Sequence, residues 1–220
     1  MKRNVKITVI ACLVWVLLVL YLTYSRYAPN NQQGAELDRE QLRDIGALIY
    51  EEPVQIQPFE LQDHMGRPFT DANFDDKWSL IFFGFTNCPD ICPLTMAELA
   101  GFYRSIDDSL KADTQVVMVS VDPFRDDTEA VAKYVSGFHE DFIGVNGDFA
   151  VVSRLARDLF VANGIMPVPA PDGGTPRNFL IDHSGNILII DPQGQYRGFM
   201  DPNIKRDNIK QAYESIRQAL

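Results

Sequence analysis

Two short apolar runs constrain the fold of this chain more than any other feature. Residues 79–85 read SLIFFGF and residues 115–121 read QVVMVSV, so each run is apolar at nearly consecutive rather than alternate positions. Strands buried on both faces give this pattern, and sheets covered by helices supply such strands. The segments around them have a different period. Met96, Leu99, Phe102, Tyr103 and Ile106 make one helical face, and Val131, Tyr134, Val135 and Phe138 make another within residues 126–138, a segment opened by acidic residues. The same reading predicts a hairpin from 59–61 and 68–70, a strand at 142–145 and a helix at 149–160. It continues with strands at 177–181, 187–190 and 195–199, a turn at 191–194 and a closing helix at 203–220. Residues 161–176, rich in Pro and Gly, read as a loop. Strands alternating with helices make the chain α/β, a central mixed sheet flanked by helices.

Cys88 and Cys92 stand where the first apolar run meets its helix. Residues four apart in a first helical turn share a face, with Cβ atoms about 5–6 Å apart, a small movement from a disulfide. Pro93 suits the first helical position, and Pro89 keeps the residues before it out of the helix. A helix start favours a thiolate, which predicts a lowered thiol pKa here. Two soft thiolates suit copper(I) or zinc, or equally a dithiol/disulfide couple. The flanking prolines and the helix start argue against an inert structural pair. A strand–CxxxC–helix unit in an α/β sheet points to a thioredoxin-like arrangement.

The formal net charge is −10, with no basic cluster, which excludes nucleic acid as a partner. Three cysteines in 220 residues make no disulfide scaffold. Residues 7–25 carry no charge, and at 1.5 Å per residue they reach about 28 Å, close to the hydrocarbon thickness of a bilayer. This predicts an N-terminal transmembrane helix. Lys2, Arg3 and Lys6 precede it, so the positive-inside rule exports everything that follows. The predicted organisation is a cytoplasmic N-terminus and anchor at 1–27, a polar tether at 28–57 that includes a short helical piece within 35–50, and a folded domain at 58–220.

Of the three histidines, His64 reads as a solvated turn residue and His139 as a surface residue. His183, in Asp182-His183-Ser184, remains as a partner for the thiols. Four stretches carry a resemblance to a known family: FELQDHMGRPFT, LIFFGFTNCPDICPLTMAELA, VVMVSVDPFRDDTEAVAKYV with FIGVNG, and DHSGNILIIDPQGQYRGF. From about Phe59 onward the chain resembles the Sco/SenC family of copper-binding, thioredoxin-like assembly proteins for cytochrome c oxidase. FTNCPDICP and SVDPFRD are its most specific segments. The resemblance implies one copper held by Cys88, Cys92 and His183. It also implies a redox-active Cys88/Cys92 pair and, as partner, the oxidase subunit that carries the dinuclear copper site. The expected location is an inner membrane crossed once, with the domain facing the periplasm or, in a eukaryote, the mitochondrial intermembrane space. Residues 175–182 are also similar to the proline-then-strand segment of TlpA/ResA-type thiol reductases. In that register Pro176 would lie beside the cysteines and His183 in a distant turn. The implied alternative is a thiol–disulfide oxidoreductase.

Overall fold

The computed structural model describes residues 15–19, 38–161, 163–168, 178–183 and 185–220; of 163–168 and 178–183 it describes the backbone alone. Two compact units result, Met1–Glu36 and Leu37–Leu220. In the first, residues 15–19 are helical with exposed apolar side chains. The rest of the predicted anchor lies outside the described residues, as does Pro176. Among the described residues no helix is long and apolar enough to cross a membrane.

The second unit is built on an eight-stranded sheet in the order β1 (Ala47–Gln55), β10 (Gln195–Met200), β9 (Ile187–Ile190), β4 (Trp78–Gly84), β5 (Thr114–Ser120), β6 (Ile143–Asn146), β2 (Glu60–Asp63), β3 (Pro68–Thr70). Its centre is β4 (Trp78–Gly84), parallel to β5 (Thr114–Ser120) and antiparallel to β9 (Ile187–Ile190). Helix α2 (Ile91–Ser105) crosses from β4 to β5, and α4 (Thr128–Ser136) from β5 to β6 (Ile143–Asn146), which is parallel to β5. The 3₁₀ turn Asp71–Phe74 follows the hairpin of β2 (Glu60–Asp63) and β3 (Pro68–Thr70). The hairpin extends the sheet beyond β6. A single turn, α3 (Asp108–Lys111), leads into β5.

Alternation along the central strands sorts their side chains into two cores. Leu80, Phe82, Val116 and Met118 face α2, α4 and the closing helix α6 (Arg206–Ala219). Ile81, Phe83, Val117 and Val119 face α5 (Phe149–Asp158), Phe59, Phe69 and Phe74. Both faces are buried, which is why these strands read as unbroken apolar runs. The thioredoxin-like α/β class expected from the sequence is what the structure shows. Helix starts follow local chemistry: Asp127 and Asp148 cap α4 and α5 by accepting from backbone N–H groups of the first turn.

Two segments depart from the sequence reading. The predicted tether holds its expected short helix, α1 (Arg39–Asp44), but also the unexpected β1 (Ala47–Gln55), which pairs antiparallel with β10 (Gln195–Met200). Its register shifts between Ile49 and Val54, across Glu51, Glu52 and Pro53, so no clean alternation marks it as a strand. Within the predicted loop, β7 (Asn163–Val168) pairs antiparallel with β8 (Asn178–His183) in a separate two-stranded sheet. Pro167 in β7 had argued for a loop, yet an edge strand tolerates it.

Candidate metal centre

Strand β4 delivers the chain to Gly84, whose carbonyl accepts from Val121 N–H on the neighbouring loop at 2.9 Å. A turn follows, with Cys88 N–H donating to the Phe85 carbonyl at 3.2 Å, and α2 begins at Ile91. Cys92 therefore sits in the first turn of α2, whereas Cys88 precedes the helix. The expectation that both thiols share a helical face is corrected: the turn, not helical spacing, brings them together. Pro93 is the third helical residue rather than the first, still within the turn whose N–H groups have no intrahelical acceptor.

Cys88 is partly exposed and Cys92 is fully buried; neither forms a disulfide. The Cys92 thiol hydrogen-bonds to the Cys88 sulfur and accepts from the Phe85 N–H. Burial pushes the Cys92 thiol well above its ordinary value, Cys88 and Asp126 add to this, and the Phe85 N–H only partly offsets them. The lowered thiol pKa expected from the helix start is thus overturned for Cys92. Desolvation outweighs the helix dipole when the sulfur has no solvent. A soft cation on the sulfur reverses that balance, because it replaces the proton. Gly84 makes the room: a Cβ there would lie 3.2 Å from Cys92 Sγ and 2.6 Å from Phe82 Cε1.

Asp126, which the sequence reading left without a role, organises the loop ahead of the thiols. It is fully buried. Its carboxylate accepts from Thr86 N–H at 2.9 Å, Thr86 Oγ1 at 2.6 Å and Ser120 Oγ at 2.7 Å. Nearby, Asp122 pairs with Arg125, and Asn146 Nδ2 donates to the Asp126 carbonyl at 3.1 Å. The signal in the sequence was SVDPFRD, recognised there as specific but not assigned chemically.

His183 is the last residue of β8, with its backbone opposite Asn163. Its side chain lies outside the described residues. Two residues on, Gly185 has φ +68°, and a Cβ there would meet Ile91 Cγ1 at 3.3 Å and Pro202 Cβ at 3.0 Å. The backbone at Gly185 therefore lies against Ile91, the residue before Cys92. The other histidines are structural. His64 accepts at Nδ1 from Gly144 N–H at 3.1 Å, correcting the solvated reading. His139 packs edge-on against Tyr103, with ring centroids 4.8 Å apart, correcting the surface reading. Among the described residues no group of three His, Cys, Asp or Glu could hold a metal.

A mixed sheet with a dithiol where its central strand turns into a helix defines a thioredoxin-fold protein of CxxxC type. Residues 50–219 match the SCO1/SenC family model, and the chain belongs to that family. It is 30% identical over 202 residues to the mitochondrial protein SCO2 of Saccharomyces cerevisiae. That match covers 92% of this chain and 64% of the yeast protein, so the chain spans less than two thirds of that relative. Among solved structures, Arabidopsis thaliana ScoI with copper bound matches with TM-score 0.65 and 32% identity, covering 74% of this chain and 98% of that one. Yeast Sco1 with copper bound matches with TM-score 0.68 and 28% identity, covering 76% and 91%.

Proposed function

We propose that this chain is a copper metallochaperone, anchored by residues 7–25, that carries copper on Cys88, Cys92 and His183 to the dinuclear copper site of a cytochrome c oxidase subunit. The observation that carries the reading is the contact between the Cys92 thiol and Cys88 at a helix start whose Ile91 lies against Gly185, two residues beyond His183. Two thiolates and an imidazole suit copper(I) and, with a further ligand, copper(II). A three-ligand site stays open, as a carrier that must release its cargo requires. Relatives solved with copper support the choice of metal. The domain would face the periplasm or the mitochondrial intermembrane space.

The same hydrogen bond between the thiols favours a second reading, a thiol–disulfide oxidoreductase acting on exported cysteines. His183 separates the two. Thiol exchange needs a thiolate, a resolving thiol and access, but no imidazole. Copper(II) prefers nitrogen-containing, higher-coordinate sites. His183→Ala in the full-length chain should therefore keep the Cys88–Cys92 redox couple, lose the sulfur-to-copper(II) charge-transfer absorption and fail to restore oxidase activity in a deletion strain. An unchanged spectrum with restored oxidase activity would favour the reductase.

A further inference from the structure

Helix α4 and the turn after it set Ala130, Tyr134, Gly137 and Phe138 along one side, at spacings of three and four residues. The rings of Tyr134 and Phe138 pack against each other with centroids 5.2 Å apart, and Ala130 and Gly137 leave space beside them. With Lys133 and, from the loop after β4, Thr86, these residues line an open, mostly apolar pocket of about 440 Å³. A hollow of this size and lining suits a small ligand or an anchoring side chain. Its rim is cationic, although the chain as a whole has a formal net charge of −10. Lys133 is exposed at the pocket, and exposed Arg104 donates to the Phe138 carbonyl at 3.1 Å, which brings a second cation to the same wall. Among the described residues neither cation enters an ion pair. Glu129, one turn before Lys133, and Glu140, two residues beyond Phe138, pair with neither. A single solvated lysine needs no partner, but two unpaired cations over an aromatic hollow fit a segment that brings its own carboxylates. Thr86 ties the pocket to the dithiol. It stands two residues before Cys88, held through its N–H and Oγ1 by Asp126. A protein segment that approaches Cys88 has this hollow beside it.

We propose that the pocket is the docking site for the protein that receives the chain's copper, and that it takes from that partner an exposed aromatic side chain flanked by Asp or Glu. The inference rests on the copper reading above and adds the chemistry of the recipient's surface. The partner's ring fills the space over Tyr134 and Phe138, and its carboxylates meet Lys133 and Arg104. Burial of the ring supplies the affinity, whereas the charges set orientation and association rate. A segment flanked by lysines is turned away by the same rim.

The test measures fluorescence anisotropy of tagged pentapeptides on the metal-free full-length chain, with copper(II) loading followed separately. One peptide has phenylalanine between pairs of glutamates, the second has lysines in place of the glutamates, and the third has alanine in place of the phenylalanine. The first should bind best and weaken as salt rises. Lys133→Glu should weaken it about fivefold, one exposed ion pair being replaced by a repulsion. Ala130→Leu, which fills the hollow and keeps both cations, should weaken it about tenfold through loss of the ring's burial. Both variants should load copper(II) with the wild-type absorption, yet restore less oxidase activity than wild type in a deletion strain. Equal binding of the three peptides, or binding undiminished in both variants, would overturn the inference. Phenylacetate bound as tightly as the first peptide would make this a small-molecule site, and self-association abolished by Ala130→Leu would make the occupant a second copy; either result overturns it too. Wild-type copper absorption without the peptide preference would defeat this inference and leave the copper reading intact. The peptide preference without copper absorption would support the docking surface and overturn the copper reading.

Discussion

Asp126 accepts three hydrogen bonds from Thr86 and Ser120, with no cation paired to it among the described residues. Such a carboxylate holds its donors rather than a salt bridge, and each donor left unpaired costs about 1–3 kcal/mol. Asp126→Ala should therefore destabilise the metal-free chain by roughly 3 kcal/mol and free the Thr86–Cys88 turn. Urea titration reads the first effect and the alkylation rate of Cys88 the second; a wild-type midpoint with a wild-type rate would refute the assignment. At this scale the sequence made the two thiols legible, through their place between a buried run and a helical face. It did not reveal which force wins at Cys92. Helix-start chemistry is local and visible in sequence, whereas desolvation depends on the core that the folded chain assembles around the sulfur, with Gly84 of β4 beside it. Tyr134 was visible only as one residue of an apolar helical face, because the pocket it lines exists only once Thr86 of another loop is brought alongside it.

Elements with one strong signal were legible, and those with mixed signals were not. The central strands and α2, α4, α5 and α6 appeared at nearly their observed positions. β1 and β7 did not, because a proline in each and an acidic pair in β1 mask strand patterns whose partners lie far along the chain. The β2–β3 hairpin was legible, but not what locks it. Asp63 Oδ1 accepts from Met65 N–H at 2.8 Å and Arg67 N–H at 2.9 Å, and Oδ2 pairs with the Arg67 guanidinium at 2.7 Å. Burial alone would raise the Asp63 carboxyl, but the Arg67 and Met65 donors and the Arg67 charge outweigh it and hold it below the usual range. A depressed folded value means stability that is full above the unfolded value, about 3.9, and is lost as pH falls through the folded one. Calorimetry should show Asp63→Asn melting below wild type at pH 7, with the gap closing as pH falls below about 4. A gap that stayed constant into acid would contradict the role given to this carboxylate.

For the whole molecule, the α/β class and the thioredoxin-like arrangement were legible because strand and helix periods alternate along the chain. The strand order was not, since it depends on long-range pairs such as β4 with β9 and β1 with β10. The candidate site depends on the same long-range assembly. Cys88 and Cys92 come from the loop and helix after β4, Asp126 from the loop after β5, and His183 from the end of β8, with Gly185 beyond it against Ile91. In the proposed function this assembly makes one copper site. X-ray absorption at the copper edge of the copper(II)-loaded full-length chain tests it most directly. Wild type should show two sulfur scatterers and an imidazole, with the imidazole signal lost in His183→Ala. Sulfur-only coordination in wild type, or an imidazole signal that survives His183→Ala, would contradict it.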